Sequence, residues 1–492
     1  MKYLVTSAEM KEYDNNTIER IGIPVLVLME RAAMAVRDEI FKCCPPRSKK
    51  QVLIAAGSGN NGADGLALAR LLSEEDFLVS VIECGNPESA TESYKKQKEI
   101  LKFYEVKFLN ALENTEDDYD FVVDGIFGVG LSRTVNEKYA QIIKRLNEIN
   151  GIKVAIDMPS GIDATTGNIM GTAFRADLTV TFGFAKRGQY LYPGAEYVGR
   201  IAVAEIGINS NGFFGHVPEM FLYDESPEIF LPVRRKEGNK GTFGKVLLIA
   251  GWENMAGAAV MSAKAVLRMG AGMVKVFCSE QNRPVLQCAV PEAMYTDRES
   301  FMKDIQWADV IVAGPGLGQS KEAEQVLEQV LKETKPILLD ADALNLVAER
   351  KVVIPPQSRI VMTPHVGELS RLTGKEIPEI KSCFPEVAKE AALDYDSVMV
   401  CKDARTLVCE NGKPIYMNVT GNNGMATAGS GDVLAGMIGG LLAQGMDLFE
   451  AACAGVYLHG LAGDAAAGKV SEYGVTATAI IDRIEEILND RK

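Results

Sequence analysis

The sequence predicts an α/β protein built from two doubly wound domains. Three observations lead there. Short apolar runs alternate with helical patterns along nearly all of the 492 residues, the signature of parallel sheets with crossover helices. The runs end in polar or glycine-rich turns. The pattern breaks once, between positions 209 and 244, where SNGFFGH, SPE and RRKEGNKG hold no periodic segment. Two series of elements therefore flank one irregular stretch. The expected division is a first domain at 1–210, a linker at 211–228 and a second domain at 229–492.

In the first series, residues 7–44 read as helical, with Leu26, Met29, Ala33 and Val36 at helical spacing. Residues 51–56 (QVLIAA) read as a buried parallel strand. GSGNNGADG follows, then a helical run at 66–72. Further strands are expected at 77–83, 121–124, 153–157 and 177–182. The second series opens with a strand at 245–250 and a helix at 256–269. Strands are expected at 273–278, 310–314, 336–340, 359–363 and 397–402. Residues 406–409 and 414–418 straddle Glu410-Asn411-Gly412 as a hairpin. GNNGMATAGSGD then leads into a helix from Val433.

Composition is ordinary except for glycine. There are 46 glycines, against about 34 at the usual share. Fourteen sit in four turns: Gly57, Gly59, Gly62 and Gly65; Gly125, Gly128 and Gly130; Gly314, Gly316 and Gly318; Gly421, Gly424, Gly429 and Gly431. The net charge of −14 argues against a nucleic-acid surface or an anionic membrane. The apolar stretch 433–446 is shorter than the roughly 18 residues a membrane span needs. The N-terminus lacks the apolar core of a secretory signal. Nine cysteines with no CxxC pair read as reduced thiols, and a cytoplasmic location is expected. Three histidines exclude a His-rich metal site, and there is no GxSxG elbow or GxxxxGK[ST] loop.

The glycine turns carry the chemistry. Gly57-Ser-Gly-Asn-Asn-Gly62 follows a strand and precedes a helix, with Glu83 ending the next strand, as in a dinucleotide fingerprint. Asn60, Asn61 and Asp64 crowd that turn. Asp124 begins DGIFGVGLSR, an acid followed by an amide-rich loop and Arg133, which suits an anionic ligand. Asp157-Met-Pro-Ser160-Gly repeats the acid at a strand end. In an open sheet these ends line one crevice. Asn61, Asp124 and Ser160 are hard oxygen donors that could hold a monovalent cation or magnesium. In the second half, Ala428-Gly-Ser-Gly-Asp432 exposes consecutive amides at a helix start, an anion hole. Asp432 in the first helical turn is placed to take a hydroxyl proton while the hole holds a phosphoryl group. The start of the helix would keep it ionised.

At these residues a resemblance emerges. TGNNGMATAGSGDVLAG, with Gly314-Pro-Gly-Leu-Gly318, resembles the phosphate end of ribokinase-like folds. Thr363-Pro-His365-Val-Gly-Glu368 is similar to the form found in NAD(P)H-hydrate dehydratases. Vitamin kinases of that superfamily tend to carry asparagine after the Thr-Pro. GNNGADG, DGIFGVG and DMPSG resemble NAD(P)H-hydrate epimerases. The matches span nearly the whole chain, in the order of the bifunctional bacterial NAD(P)H-hydrate repair enzymes. The resemblance implies a Rossmann-like epimerase domain followed by a ribokinase-like dehydratase domain. It implies interconversion of the R and S hydrates of NADH and NADPH, then ADP-dependent dehydration of the S form.

The same resemblance implies site residues. Asn60, Asn61, Gly62, Ala63 and Asp64 would bind the hydrate in the epimerase, with Gly128, Val129, Gly130, Leu131, Ser132, Arg133 and Thr134. Asn61, Asp124 and Ser160 would hold potassium. Asp157 would contact the substrate as acid/base, with Asp124 the other candidate for that role. In the dehydratase, Asp432 would be the base that activates the hydroxyl. Lys402, Asp403, Ala404, Arg405 and Thr406 would contact ADP, used with magnesium. Gly429, Ser430 and Gly431 would bind the transferred phosphate. Ala258, Gly318 and His365 would touch the hydrate. The expected partners are hydrated NADH, hydrated NADPH and ADP, with no nucleic acid and no membrane. A homo-oligomer is expected for an enzyme of this size. Two rival readings stand beside this one: a vitamin or sugar kinase fused to a Rossmann reductase, and a first domain that only binds or assembles.

Overall fold

A computed structural model describes residues 1–43, 50–75, 77–109, 111–226, 231–349, 351–356 and 358–489. The chain divides into two compact units, Tyr3–Met220 and Phe221–Lys492 with Met1–Lys2. The stretch 211–228 is more than a tether. It carries the strand Met220–Leu222, and positions 227 and 228 lie outside the described residues.

The first unit is built on a seven-stranded sheet. Its strands run Val106–Leu109, Phe77–Glu83, Lys50–Ala56, Asp118–Gly125, Asn150–Ile156, Leu178–Phe182 and Arg200–Ala204, all parallel. Alternation along each strand splits the core. Val52, Ile54, Val123 and Ile156 join one apolar cluster with Met29, Ala33 and Leu66 from the helices Val25–Cys43 and Asn60–Ser73. Leu53, Ala55, Val122 and Ala155 join another with Ile142, Ile143 and Leu146 from the helix Glu137–Glu148. Successive side chains of a strand point to opposite faces, so a sheet covered on both sides reads as a continuous apolar run.

The order of strands reverses between Lys50–Ala56 and Asp118–Gly125. That is the switch point, where the carboxyl ends part and open a crevice. Asp124 sits beside Ala55 on one neighbour and Ala155 on the other. The long N-terminal helix expected from periodicity is instead three pieces. Ser7–Asn15 is α-helical and Asn16–Ile21 is a π-helical turn. Gly22, in the left-handed region at φ 89°, then ends it. Val25–Cys43 restarts after Pro24, which cannot supply a helical N–H.

In the second unit the strands run Met294–Thr296, Met273–Phe277, Lys245–Ile249, Val310–Ala313, Ile337–Leu339, Ile360–Met362 and Val398–Cys401 in parallel. Leu407–Cys409 and Ile415–Met417 follow antiparallel, as the hairpin reading expects. The switch point lies between Lys245–Ile249 and Val310–Ala313. The helix Ser430–Ala443 is almost wholly buried. Its glycines explain why. Gly436 meets the Ser262 carbonyl and Ala265 of the helix Ala256–Arg268, and Gly440 meets Val266 and Met269. The apolar stretch at 433–446 is thus largely a core helix with backbone-to-backbone packing. Among the described residues no helix is long and apolar enough to cross a membrane.

Candidate active sites

The first unit holds a cavity of about 690 Å³ at its switch point. Of the residues expected to bind substrate there, Asn60, Asn61, Asp64, Gly128, Val129, Gly130, Leu131, Ser132, Arg133 and Asp157 line it. Gly62, Ala63 and Thr134 do not. The helix Asn60–Ser73 begins inside the GSGNNG turn, so Asn60 and Asn61 occupy its first turn, where backbone N–H groups lack helical partners. Gly62 has a packing role: any side chain would strike the Gly57 carbonyl. Gly57 in turn abuts the Ile126 carbonyl. Gly59 and Gly130 face open space. Of the three glycines in GSGNNG, two are therefore close-packed and one leaves access. Glu83, the acid of the fingerprint reading, does not line the cavity. It accepts from Tyr94 Oη at 2.8 Å and Lys98 Nζ at 2.7 Å.

Behind the cavity, Asp124 is fully buried. Its Oδ1 accepts from Ser160 Oγ at 2.7 Å and from the Ile126 N–H at 3.1 Å, and its Oδ2 from the Ser160 N–H at 2.7 Å. Burial pushes this carboxyl up to about 6, and the Ser160 and Ile126 bonds pull against that. Among the described residues, no cationic side chain pairs with it. Asn61 Nδ2 is buried without a partner. A carboxylate desolvated without a counter-charge beside a serine hydroxyl fits a monovalent cation, whereas the orphan Asn61 Nδ2 is a donor and only the Oδ1 of that amide could serve as a ligand.

Asp157 follows the strand Asn150–Ile156 and adopts φ 64°, unusual for a residue with a side chain. Its Oδ1 is ion-paired with Lys186 Nζ and accepts from Thr181 Oγ1 at 3.2 Å. Lys186 is fully buried and also donates to Thr181 Oγ1 at 2.7 Å and the Phe182 carbonyl at 3.2 Å. Gln189 Nε2 holds the Asp157 carbonyl at 2.8 Å. Burial, then the neighbouring Asp157 and Asp14, raises Asp64 well above the carboxylate range. Asp14 is raised by burial and by Asp157. Sequence reading missed Lys186. Its only signal is a lone lysine in FGFAKRG, just past a strand.

In the second unit, the helix Ser430–Ala443 starts after Gly429, whose φ of 89° suits glycine alone. The N-cap is Gly429, which has no side chain to cap the helix, and Asp432 lies in its first turn. Burial, with Asp340 and Asp342 adding to it and Lys402 opposing, pushes Asp432 up to about 7. The helix start therefore does not hold it in the usual range. Burial outweighs the opposing Lys402 charge, and the carboxyl is poised near neutrality. Lys402 Nζ lies against Gly431 and donates to Asp340 Oδ1 at 2.9 Å, where Thr363 Oγ1 also donates at 2.6 Å. Burial would lower Lys402, but Asp340 and Glu368 raise it. The lysine stays charged beside the anion hole.

His365 caps the helix Val366–Thr373. Its Nδ1 accepts from the Gly367 N–H at 2.9 Å, and Glu368 reaches back to the His365 N–H at 2.8 Å. The Lys402 N–H donates to the Pro364 carbonyl at 2.7 Å, which joins the Thr-Pro-His turn to the KDART turn. Within KDART, Asp403 and Ala404 are exposed, and Arg405 and Thr406 half-buried, between Val398–Cys401 and Leu407–Cys409. Gly318 donates its N–H to Asp342 Oδ2 at 2.8 Å. Ala258 is buried against Gly316. Ser430 Oγ lies 3.4 Å from His459 Nε2, a buried ring pushed down to about 4 by burial. Asp340, Thr363 and His459 were not legible as site residues, because each acquires its role only through a neighbour distant in sequence.

Fold and site together define a Rossmann-like unit with an acid-bearing crevice at its switch point, followed by a ribokinase-like unit whose Asp432 lies in the first turn of a glycine-led helix beside Asp340 and Lys402. The comparisons specify the family. Residues 25–188 match the family described as YjeF-related protein N-terminus, and residues 246–486 the family described as NAD(P)H-hydrate dehydratase. The bifunctional NAD(P)H-hydrate repair enzyme of Moorella thermoacetica is 34% identical, over 99% of this chain and 97% of its own. The solved ADP/ATP-dependent NAD(P)H-hydrate dehydratase of Bacillus subtilis, crystallised with ATP and Mg2+, is 32% identical. It covers 53% of this chain and 95% of its own, with a TM-score of 0.50. A ribokinase-like superfamily protein of Enterococcus faecalis is 31% identical over 55% of this chain and 96% of its own, with a TM-score of 0.51. The chain belongs to the family of bifunctional NAD(P)H-hydrate repair enzymes.

Proposed function

We propose that this chain repairs hydrated NADH and NADPH in two steps. The first unit interconverts the R and S hydrates at C6 of the nicotinamide ring. The second dehydrates the S hydrate with ADP. The observation that carries the reading is the pair of acid-bearing sites on one chain, the cavity with Asp157 and the glycine-led helix start with Asp432, each within the match to its own family.

In the second unit, Asp432 takes the proton of the C6 hydroxyl as its oxygen attacks the terminal phosphorus of ADP. AMP leaves, and the amides of Gly429, Ser430 and Gly431, with the Lys402 ammonium, hold the transferred phosphoryl group. Hydroxide is a poor leaving group and phosphate a good one. The ring nitrogen lone pair then expels phosphate, and loss of a C5 proton from the resulting iminium restores the C5=C6 double bond, so ADP and hydrate become AMP, phosphate and NAD(P)H. A base pushed up to about 7 is well matched to proton transfer near neutral pH. Lys402 to Thr406 contact the nucleotide, which binds with magnesium. Ala258, Gly318 and His365 contact the hydrate.

In the first unit, Asp157 is the acid/base, held by Lys186. Asn61, Asp124 and Ser160 hold a potassium ion, which when bound supplies the counter-charge Asp124 lacks. Asn60 to Asp64 and Gly128 to Thr134 bind the hydrate.

The test is incubation with mixed R and S hydrates plus ADP or ATP, followed by chromatography. The expected result is conversion of both epimers to NAD(P)H, with nucleotide consumed and no phosphorylated organic product. A stable phosphorylated alcohol would favour the kinase reading instead. Conversion of the S form alone, with R lost only at its spontaneous rate, would make the first unit a binding or assembly module.

A further inference from the structure

The family match begins at residue 25, yet the first unit's cavity is partly walled by residues that precede it. Met10, Lys11 and Asp14 of the helix Ser7–Asn15, with Ile18 of the π-helical turn, all line it. Their spacing puts them along one side of the helix. Asp14 is half-buried and Lys11 exposed, so the two sit at different depths. Charge in the cavity is unevenly distributed. Three lining carboxylates, Asp14, Asp64 and Asp157, interact with one another electrostatically. The two lining cations, Lys11 and Arg133, are both exposed, and among the described residues neither is ion-paired to a carboxylate.

We propose that Lys11 is a specificity-determining residue that, with Arg133, receives the phosphates of the substrate and thereby sets which end of it enters the cavity. The proposal rests on the epimerase reading above. A hydrated dinucleotide carries a diphosphate at its middle and an uncharged reduced ring at one end. Among Asp14, Asp64 and Asp157 a diphosphate would meet no free cation, because Lys186, paired with Asp157, does not line the cavity. At the rim it meets a lysine and an arginine with no competing partner, where charge-assisted bonds form. The ring then points toward Asp157. The helix Ser7–Asn15 is tied to the loop that carries Arg133, because the Ser7 hydroxyl donates to the Val129 carbonyl at 2.6 Å. That bond holds the helix against the loop, so both cations line the same cavity.

The test uses the full chain carrying Asp432→Asn, which isolates epimerisation. R-to-S exchange is followed by chiral chromatography on two substrates: hydrated NADH, and hydrated dihydronicotinamide riboside, which has no phosphate. Lys11→Ala should raise KM for the dinucleotide about tenfold with kcat within about twofold, and Lys11→Arg should restore it. Raising ionic strength should weaken the parent and leave Lys11→Ala nearly unchanged. On the riboside, Lys11→Ala should have no effect. Equal losses on both substrates, or a kcat loss without a KM change, would overturn the assignment. Circular dichroism of both variants separates this from misfolding. If the parent speeds exchange of neither substrate, the epimerase reading falls. Calorimetric binding of hydrated NADH then decides the Lys11 assignment alone: weakened by Lys11→Ala supports it, unchanged refutes it.

Discussion

Lys186, fully buried, is ion-paired with Asp157 at the floor of the first unit's cavity. Thr181 and the Phe182 carbonyl take the lysine's remaining donors. Removing one partner of such a pair leaves a desolvated charge, which costs about 3–5 kcal/mol. Lys186→Met should lower the unfolding free energy, measured by denaturant titration, by that order and depress epimerisation. Lys186→Met combined with Asp157→Asn should recover much of the stability but none of the activity. A double variant no more stable than the single one would show that the lysine matters for packing and not for charge.

Asp432→Asn should abolish dehydration and leave R-to-S exchange intact. It should also stabilise the fold in alkaline solution. Asp432 is pushed up to about 7 in the folded chain, against about 3.9 when unfolded. Between those values the folded state holds a proton that the unfolded state has lost, so stability falls as pH rises through this window. The loss is complete above about pH 7 and absent below about pH 4. Melting temperatures of wild type and Asp432→Asn should therefore coincide near pH 4 and diverge by pH 8, in favour of the variant. A constant difference across that range would remove the buried carboxyl as its source.

The same carboxyl sets the pH profile of dehydration. The base works only when ionised, so kcat/KM should rise with pH and level off above about 7. His459, pushed down to about 4 by burial, stays neutral across the range and should contribute no limb. A profile flat between pH 5.5 and 8.5 would mean that proton removal is not limiting or is done elsewhere.

Ser160 supplies one of three hydrogen bonds to Asp124 Oδ1 and Oδ2 through its hydroxyl. Ser160→Ala should cost about 1–3 kcal/mol. It should also raise the potassium concentration needed for half-maximal epimerisation several-fold, while dehydration is unaffected. Titration with potassium chloride against choline chloride measures this. An unchanged potassium requirement would detach Ser160 from cation binding.

Gly62 and Gly59 should separate packing from access. A methyl at Gly62 has the Gly57 carbonyl in its way, and one at Gly59 meets nothing within 4 Å. Gly62→Ala should destabilise by about 3 kcal/mol, and Gly59→Ala by less than about 0.5 kcal/mol. Equal effects in thermal unfolding would contradict the geometry.

Much of this protein is written locally. The apolar runs at 51–56 and 245–250 are strands because a sheet covered on both faces needs uninterrupted apolar residues. The acids Asp124, Asp157 and Asp432 are visible beside glycine turns because such turns follow strand ends. What local sequence does not contain is who faces whom. The π-helical turn at Asn16–Ile21 breaks a pattern that periodicity alone carries through. Lys186 reads as one lysine among many until the strand Leu178–Phe182 brings it under Asp157. Lys402 becomes an anion-hole cation only when Asp340, 62 residues earlier, accepts its hydrogen bond. Asp432 looks like an ionised acid at a helix start until burial beside Asp340 and Asp342 moves it to neutrality. The two α/β units, the glycine turns and the acids at their ends follow from the chain alone, since periodicity and turn chemistry are properties of neighbours along it. Which of those acids are paired, orphaned or protonated follows only from the folded arrangement, because charge state depends on what surrounds a group in space.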